Sequence, residues 1–302
     1  MMALKYAKNI VTETKPLPRE VLESLARRGP IRSTVKIDRL IYLDREVVEG
    51  AFYMEVTLCH EGTSEDWIEE PHVHDVDEIL AFIGTDFDNP KDLGAEVELW
   101  LGDELHVLTK SCLVFVPKGL KHCPVRFKRV DKPLWFMTLS PMSMYTRKAE
   151  KLTPSTAGGE LKYSKYIVTE MKKGLELPPP PPGIPANASK TIRTIYLDSE
   201  VVEGAFYMEC AWFSKGVGGG GPPAHIHDFD EVLGFLGSDP NNPRDLNGEV
   251  ELWLGDEGYI LTKSCLIFVP KGLKHCPLII RRADKPIFHF STGPSSKYQR
   301  QS

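Results

Sequence analysis

His72-Val73-His74-Asp75-Val76-Asp77-Glu78 returns almost unchanged as His225-Ile226-His227-Asp228-Phe229-Asp230-Glu231. Each is followed at the same distance by a second short stretch, Pro117-Lys118-Gly119-Leu120-Lys121-His122 and Pro270-Lys271-Gly272-Leu273-Lys274-His275. Successive side chains on a strand point to opposite faces, so the two histidines of each His-x-His project the same way. Glu78 and Glu231 lie an even number of residues further on and share that face if the strand continues. The Pro and Gly of the second stretch shape a turn, and the histidine after it opens another strand about 5 Å away. Two donor groups result: His72, His74, Glu78 and His122, and then His225, His227, Glu231 and His275. Three neutral imidazoles and one carboxylate suit a divalent transition metal, whether iron, manganese, nickel or zinc. Four ligands leave one or two positions open on a five- or six-coordinate ion, as in a working site; closed structural zinc sites are tetrahedral and Cys-rich.

The motifs belong to a larger duplication. Residues 72–124 align without a gap to 225–277, an offset of 153, and 38 of the 53 positions are identical. Upstream, Ile41-Tyr42-Leu43-Asp44 reappears as Ile195-Tyr196-Leu197-Asp198, and Ile10-Val11-Thr12-Glu13 as Ile167-Val168-Thr169-Glu170. Two copies of such length make a duplicated domain and not a solenoid. The expected organisation is an N-terminal domain over 1–150, a linker with a proline-rich strap over 151–190, and a C-terminal domain over 191–302. The unbroken run Pro178 to Pro182 favours polyproline II geometry. Pro18 to Gly29, with Pro at its start and Gly at its end, predicts one short helix. Elsewhere each copy reads as short strands, such as 51–58, 97–101, 113–116 and 134–139, punctuated by Gly, Pro, Asn and Asp. That pattern is all-β, a sandwich or barrel.

The 37 Lys and Arg against 42 Asp and Glu give a net charge of −5, and six of the nine His sit in the two groups. So mild an acidity offers no footprint for nucleic acid or an anionic membrane. No apolar run approaches the roughly 20 residues of a membrane span, and the N-terminus lacks an apolar signal core. Six Cys without a Cys-x-x-Cys are too few for a disulfide scaffold. The expectation is a cytoplasmic protein with free thiols.

The two motifs resemble the signature of the cupin superfamily, and two copies resemble a bicupin. The first motif ends in His-x-His, a Glu and then a Gly, here Gly84 and Gly237; the second is Pro-x-Gly-x-x-His. The resemblance covers about 40–140 and 193–292. It implies two tandem double-stranded β-helix (jelly-roll) barrels, preceded by the short helix, with one metal in each. Some positions depart from the pattern. The opening Gly of the first motif is Asp66 in copy one, although Gly219 fits in copy two. The opening Gly of the second is Ser111 or Ser264, and its closing Asn is Arg126 or Ile279. The longer segment between the motifs carries an Asn-Pro loop expected over the barrel mouth. By this resemblance the protein is a metal-dependent enzyme acting on a small oxygenated compound, with a dioxygenase-type oxidoreductase favoured. A redox-neutral lyase, decarboxylase or isomerase is the alternative, and a non-catalytic binding protein the third. The partner expected is a small-molecule substrate, and a homo-oligomer is compatible with the fold. Beyond the metal centres no catalytic acid or base stands out.

Weaker signals fall outside this set. Gly216-x-Gly218-x-x-Gly221 matches a dinucleotide fingerprint, but Pro222-Pro223 follows where a helix must open, so a rim loop is expected. The corresponding rim of copy one is acidic and aromatic, with Asp66, Trp67, Glu69 and Glu70. Cys123 and Cys276 read as core residues. Trp100 and Trp253 suit either core packing or barrel lining. His106 and His289 are matched by Tyr259 and Phe136 and are left out of the sites.

Overall fold

The computed structural model describes residues 4–17, 19, 22, 23, 26, 30–153, 161–175 and 187–301. The proline run 178–182 lies outside them, as does most of the helix expected over 18–29. Within that stretch Arg19, Leu22, Glu23 and Ala26 are helical. The rest of the described chain is overwhelmingly strand and folds into two barrels of matching topology.

In the N-terminal barrel one sheet runs, in spatial order, Ile167–Val168, Cys112–Val116, Glu78–Gly84, Leu134–Ser140, Tyr53–Cys59 and Ile37–Leu43. The facing sheet runs Lys148–Ala149, His72–Val73, His122–Val130, Asp92–Leu101 and Glu104–Lys110. The C-terminal barrel repeats this with Ile10–Val11, Cys265–Val269, Glu231–Gly237, Ile287–Gly293, Tyr207–Phe213 and Thr191–Leu197 against Asp245–Leu254, Glu257–Lys263 and His275–Ala283.

Strand parity explains the near-continuous apolar strands. In Glu78–Gly84 every residue is buried. Glu78, Leu80 and Phe82 share one face, and Leu80 and Phe82 join the core inside the barrel. Ile79, Ala81 and Ile83 face the other way, into a core shared by both barrels. A strand covered on both faces has no solvent side to mark with polar residues. The shared core centres on Trp135, Trp212 and Phe288, whose rings lie 5.0 to 5.5 Å apart.

Each barrel borrows an edge strand from the other half of the chain. Ile10 and Val11 pair with Ile267 and Leu266, whereas Ile167 and Val168 pair with Val114 and Leu113. The first arm is pinned by Asn9, whose buried Nδ2 donates to the Phe268 carbonyl at 2.8 Å. Replacing Asn9 by alanine leaves that carbonyl without its partner, at an expected cost of about 1–3 kcal/mol, read as a lower denaturant midpoint with an unchanged m-value. An unchanged midpoint would remove the arm from the stabilising contacts.

The Asn-Pro loop does not cover the mouth. It follows Gly84, at the opposite end of its strand from Glu78, and is tied to the Pro133 turn by Thr85. Its Phe87 packs on Trp212, so the loop wedges between the barrels. Trp100 and Trp253 are half-buried, between the inward neighbours Leu99, Leu101, Leu252 and Leu254.

Candidate metal centres and the C-terminal cavity

His72 sits directly across from His122 in an antiparallel pair, and His225 bridges His275 in the same way. Glu78 arrives by a different route from the one parity suggests. The strand His72–Val73 stops, the chain bends through Asp75 and Val76, and Glu78 opens a strand of the opposite sheet. It therefore faces the histidines across the barrel interior and does not extend their row.

All four predicted donors of the N-terminal group are buried, with ligand atoms within 4.8 Å of one another. The C-terminal group divides into two overlapping sets, His227, Glu231 and His275, and His225, His275 and Cys276. Cys276 is thus closer to the site than its core reading suggests, although burial pushes its thiol up to about 12.

Every imidazole has its Nδ1 on a backbone carbonyl. In the first group the acceptors are Glu70, Thr146 and Leu120, at 2.7, 2.6 and 3.1 Å. In the second they are Pro223, Gln299 and Leu273. An Nδ1–H donated this way fixes the tautomer and leaves the Nε2 lone pair facing inward. Those Nε2 atoms meet carboxylate oxygen. His122 Nε2 is 2.9 Å from Glu78 Oε2, and His275 Nε2 is 3.1 Å from Glu231 Oε2. Nε2 of His74, His122 and His227 and Oε2 of Glu78 and Glu231 are buried without a hydrogen-bond partner. Acceptors crowded on acceptors repel unless a cation stands between them, so these residues fit a divalent metal.

Electrostatics separates the donors. Burial pushes His72 down to about 3 and His225 down to about 4, which favours neutral imidazoles. Burial opposes ionisation of Glu78, but the proximity of His122 and His74 outweighs that and holds the carboxyl well below its usual range. Burial likewise works against a charge on His74, yet Glu78 raises it above its ordinary value. At His227 burial prevails and lowers the imidazole.

The sequence reading missed two residues at each site, although the offset of 153 runs on through both. Tyr145 and Tyr298 bring their hydroxyls to 3.5 and 3.4 Å from Nε2 of His72 and His225. Burial raises both phenols, which stay protonated. Two residues further on, Arg147 is ion-paired with Glu69. Its counterpart Arg300 donates Nε to the Tyr298 hydroxyl at 2.7 Å and has no carboxylate partner among the described residues. In the rim of copy one Asp66 pairs with Arg32, Glu69 with Arg147, and Trp67 lies under Arg126.

The rims also differ in room. Gly221 N donates to the Leu278 carbonyl where Ile68 N donates to that of Val125. Ile68 packs onto the N-terminal core, and Phe82, Phe127 and Phe136 group beside it. With Gly221, Ile280 and His289 at the matching positions, a cavity of about 620 Å³ reaches His225, Glu231 and His275, and Tyr298 and Arg300 also line it. The glycines serve this close approach, since a Cβ on Gly220 would lie 2.1 Å from the Leu278 carbonyl oxygen. No phosphate-binding helix follows them.

Two jelly-roll barrels in tandem, each with an inward His/Glu group, define a bicupin fold. Solved structures share it. A variant of oxalate decarboxylase from Bacillus subtilis aligns with a TM-score of 0.55 at 12% identity, over 91% of this chain and 78% of that one. A B. subtilis oxalate decarboxylase studied for its Mn(II) centres gives 0.53 at 11%, over 96% and 86%. AerE from Microcystis aeruginosa gives 0.50 at 11%, over 94% and 98%. No family profile and no curated protein matches the sequence. Among the described residues, no helix is long and apolar enough to cross a membrane.

Proposed function

We propose that this is a divalent-metal-dependent bicupin enzyme of the cytoplasm. In this reading each barrel holds one metal, on His72, His74, Glu78 and His122 and on His225, His227, Glu231 and His275. The C-terminal barrel acts on a small carboxylate in a redox-neutral reaction of the decarboxylase, lyase or isomerase type. The observation that carries the substrate class is Arg300. Among the described residues it is a guanidinium without a carboxylate partner, beside a protonated phenol, on the wall of a cavity that reaches the proposed ligands. Arginine is suited to carboxylates, which it can bind through two parallel hydrogen bonds. A bound metal would supply Lewis-acid polarisation of the substrate oxygen. The chain's own part is to seat the carboxylate on Arg300, to hold the Tyr298 proton beside the reacting end, and to exclude bulk water with the barrel wall. That several fold neighbours are oxalate decarboxylases agrees with a carboxylate substrate. A dioxygenase-type reaction is the second reading, favoured by coordination positions that four ligands leave open.

The two readings separate by measurement. Manganese- and iron-loaded protein is given a panel of small hydroxy acids, keto acids and dicarboxylates, while dissolved oxygen and released carbon dioxide are recorded together. Turnover without oxygen uptake is the expected result; stoichiometric oxygen uptake would replace it with the dioxygenase. Arg300→Ala should raise KM for the acid about 10- to 100-fold, since a charge-assisted hydrogen bond contributes roughly 1.5–3 kcal/mol. An unchanged KM would remove Arg300 from substrate binding.

A further inference from the structure

We propose that His289 is a specificity residue of the C-terminal cavity, whose Nε2 accepts a hydrogen bond from a hydroxyl at the far end of a carboxylate substrate. The inference deepens the carboxylate reading and rests on it. His289 sits in the middle of the strand Ile287–Gly293 and lines the same cavity as His225 and Glu231. It is largely buried but keeps some exposure where its strand neighbours Phe288 and Phe290 keep none, and what it shows faces the cavity it lines.

The ring is held in one orientation. Phe213 and Phe235 stack on its two sides, at centroid distances of 5.3 and 4.5 Å and interplanar angles of 26° and 24°. Its Nδ1 lies 2.8 Å from the Gly234 carbonyl. That acceptor assigns the proton to Nδ1 and leaves Nε2 as an acceptor, with no protein donor among the described residues. Burial lowers the imidazole to about 4, so it remains neutral and accepting near neutral pH.

Register sets the distance. His289 pairs with Phe235, four residues along the strand from Glu231. At about 3.3 Å per residue the two positions are separated by roughly 13 Å of strand. A substrate anchored by its carboxylate at Arg300 and the ligand end must therefore be elongated to reach Nε2. In the N-terminal barrel the same register holds Phe136, stacked on Phe82 at 4.8 Å, which offers no acceptor. A site that supplies an acceptor to a substrate hydroxyl discriminates against the analogue lacking it.

The test titrates manganese-loaded full-length protein by calorimetry with ω-hydroxy acids of four, six and eight carbons and with the matching unsubstituted acids. Wild type is expected to bind the hydroxy acid of fitting length about tenfold more tightly than its unsubstituted partner. His289→Phe, which installs the ring found at this register in the other barrel, and His289→Asn, as a second variant, should erase that preference. Affinity for the unsubstituted acid should stay within about twofold and metal content should not change. A preference that survives in the variants, or is absent from wild type at all three lengths, overturns the inference. If unsubstituted acids bind in an Arg300-dependent way without a hydroxyl preference, only the role of His289 falls. If no acid binds the metal-loaded protein, the carboxylate reading falls with it.

Discussion

His275→Ala is expected to strip the metal from the C-terminal barrel and to lower activity by about three orders of magnitude, whereas His122→Ala strips the other barrel and leaves activity within about threefold. Both histidines occupy the same place in their groups, with Nε2 against the buried carboxylate oxygen at 3.1 and 2.9 Å. Removing either takes away one metal donor, so both variants should lose the stabilisation that a bound metal adds to the folded state. Function should divide them. The C-terminal candidate ligands are reached by a cavity of about 620 Å³ whose Arg300 has no carboxylate partner among the described residues, while the matching Arg147 of the N-terminal barrel is paired with Glu69. Elemental analysis of wild type, the two single variants and the double variant should read two, one, one and no ions per chain. Equal metal in wild type and the double variant would show the ligand sets to be wrong. Equal loss of activity in the two single variants would show that both barrels work, and that the cavity does not mark the active one.

That these candidate donors come together was legible because their spacing is itself geometric. Two residues along a strand return to the same face, and a Pro-x-Gly turn ends where the third histidine must begin its strand. The place of Glu78 in the group follows from a different geometry than strand parity, since Glu78 changes sheet before it faces the histidines. Its neighbours Leu80 and Phe82 confirm the inward parity, but the crossing depends on a bend at 75–76 that the pattern does not announce. Tyr145 and Arg147 carry no recognisable motif, and only the continuing offset to Tyr298 and Arg300 could have drawn attention to them. The contrast between the cavities rests on single exchanges, Ile68 for Gly221 and Phe136 for His289. Such exchanges look like ordinary drift until it is known which side chains point inward. The arm exchange was hidden for a different reason. Ile10-Val11 and Ile167-Val168 are alike and pair with edges that are alike, so pattern cannot tell a barrel's own arm from its neighbour's.

Trp212→Ala is expected to cost about 3–5 kcal/mol, and Trp212→Phe less than about 1.5 kcal/mol. The indole is fully buried in the core between the barrels, with ring centroids of Trp135, Phe288 and Phe87 at 5.5, 5.3 and 5.7 Å. Alanine would leave a void walled by three aromatic rings, two of which, Trp135 and Phe288, belong to strands paired on both sides, so that part of the wall cannot collapse into it. Phenylalanine loses less, for two reasons. It retains a ring in the stack, and it deletes an indole Nε1 that is buried without a hydrogen-bond partner, a group whose burial itself costs free energy. The same position also tests how the barrels are coupled. Each barrel has its own interior core, and Trp212 belongs to the third core that joins them. If that core makes unfolding cooperative across the chain, wild type and Trp212→Phe should show one transition in denaturant by both fluorescence and circular dichroism. Trp212→Ala should separate it into two, with the arms alone left to bind the halves together. A single, equally displaced transition in Trp212→Ala would instead assign the coupling to the exchanged arms, which cross from each half of the chain to the other barrel whether or not the aromatic contact survives.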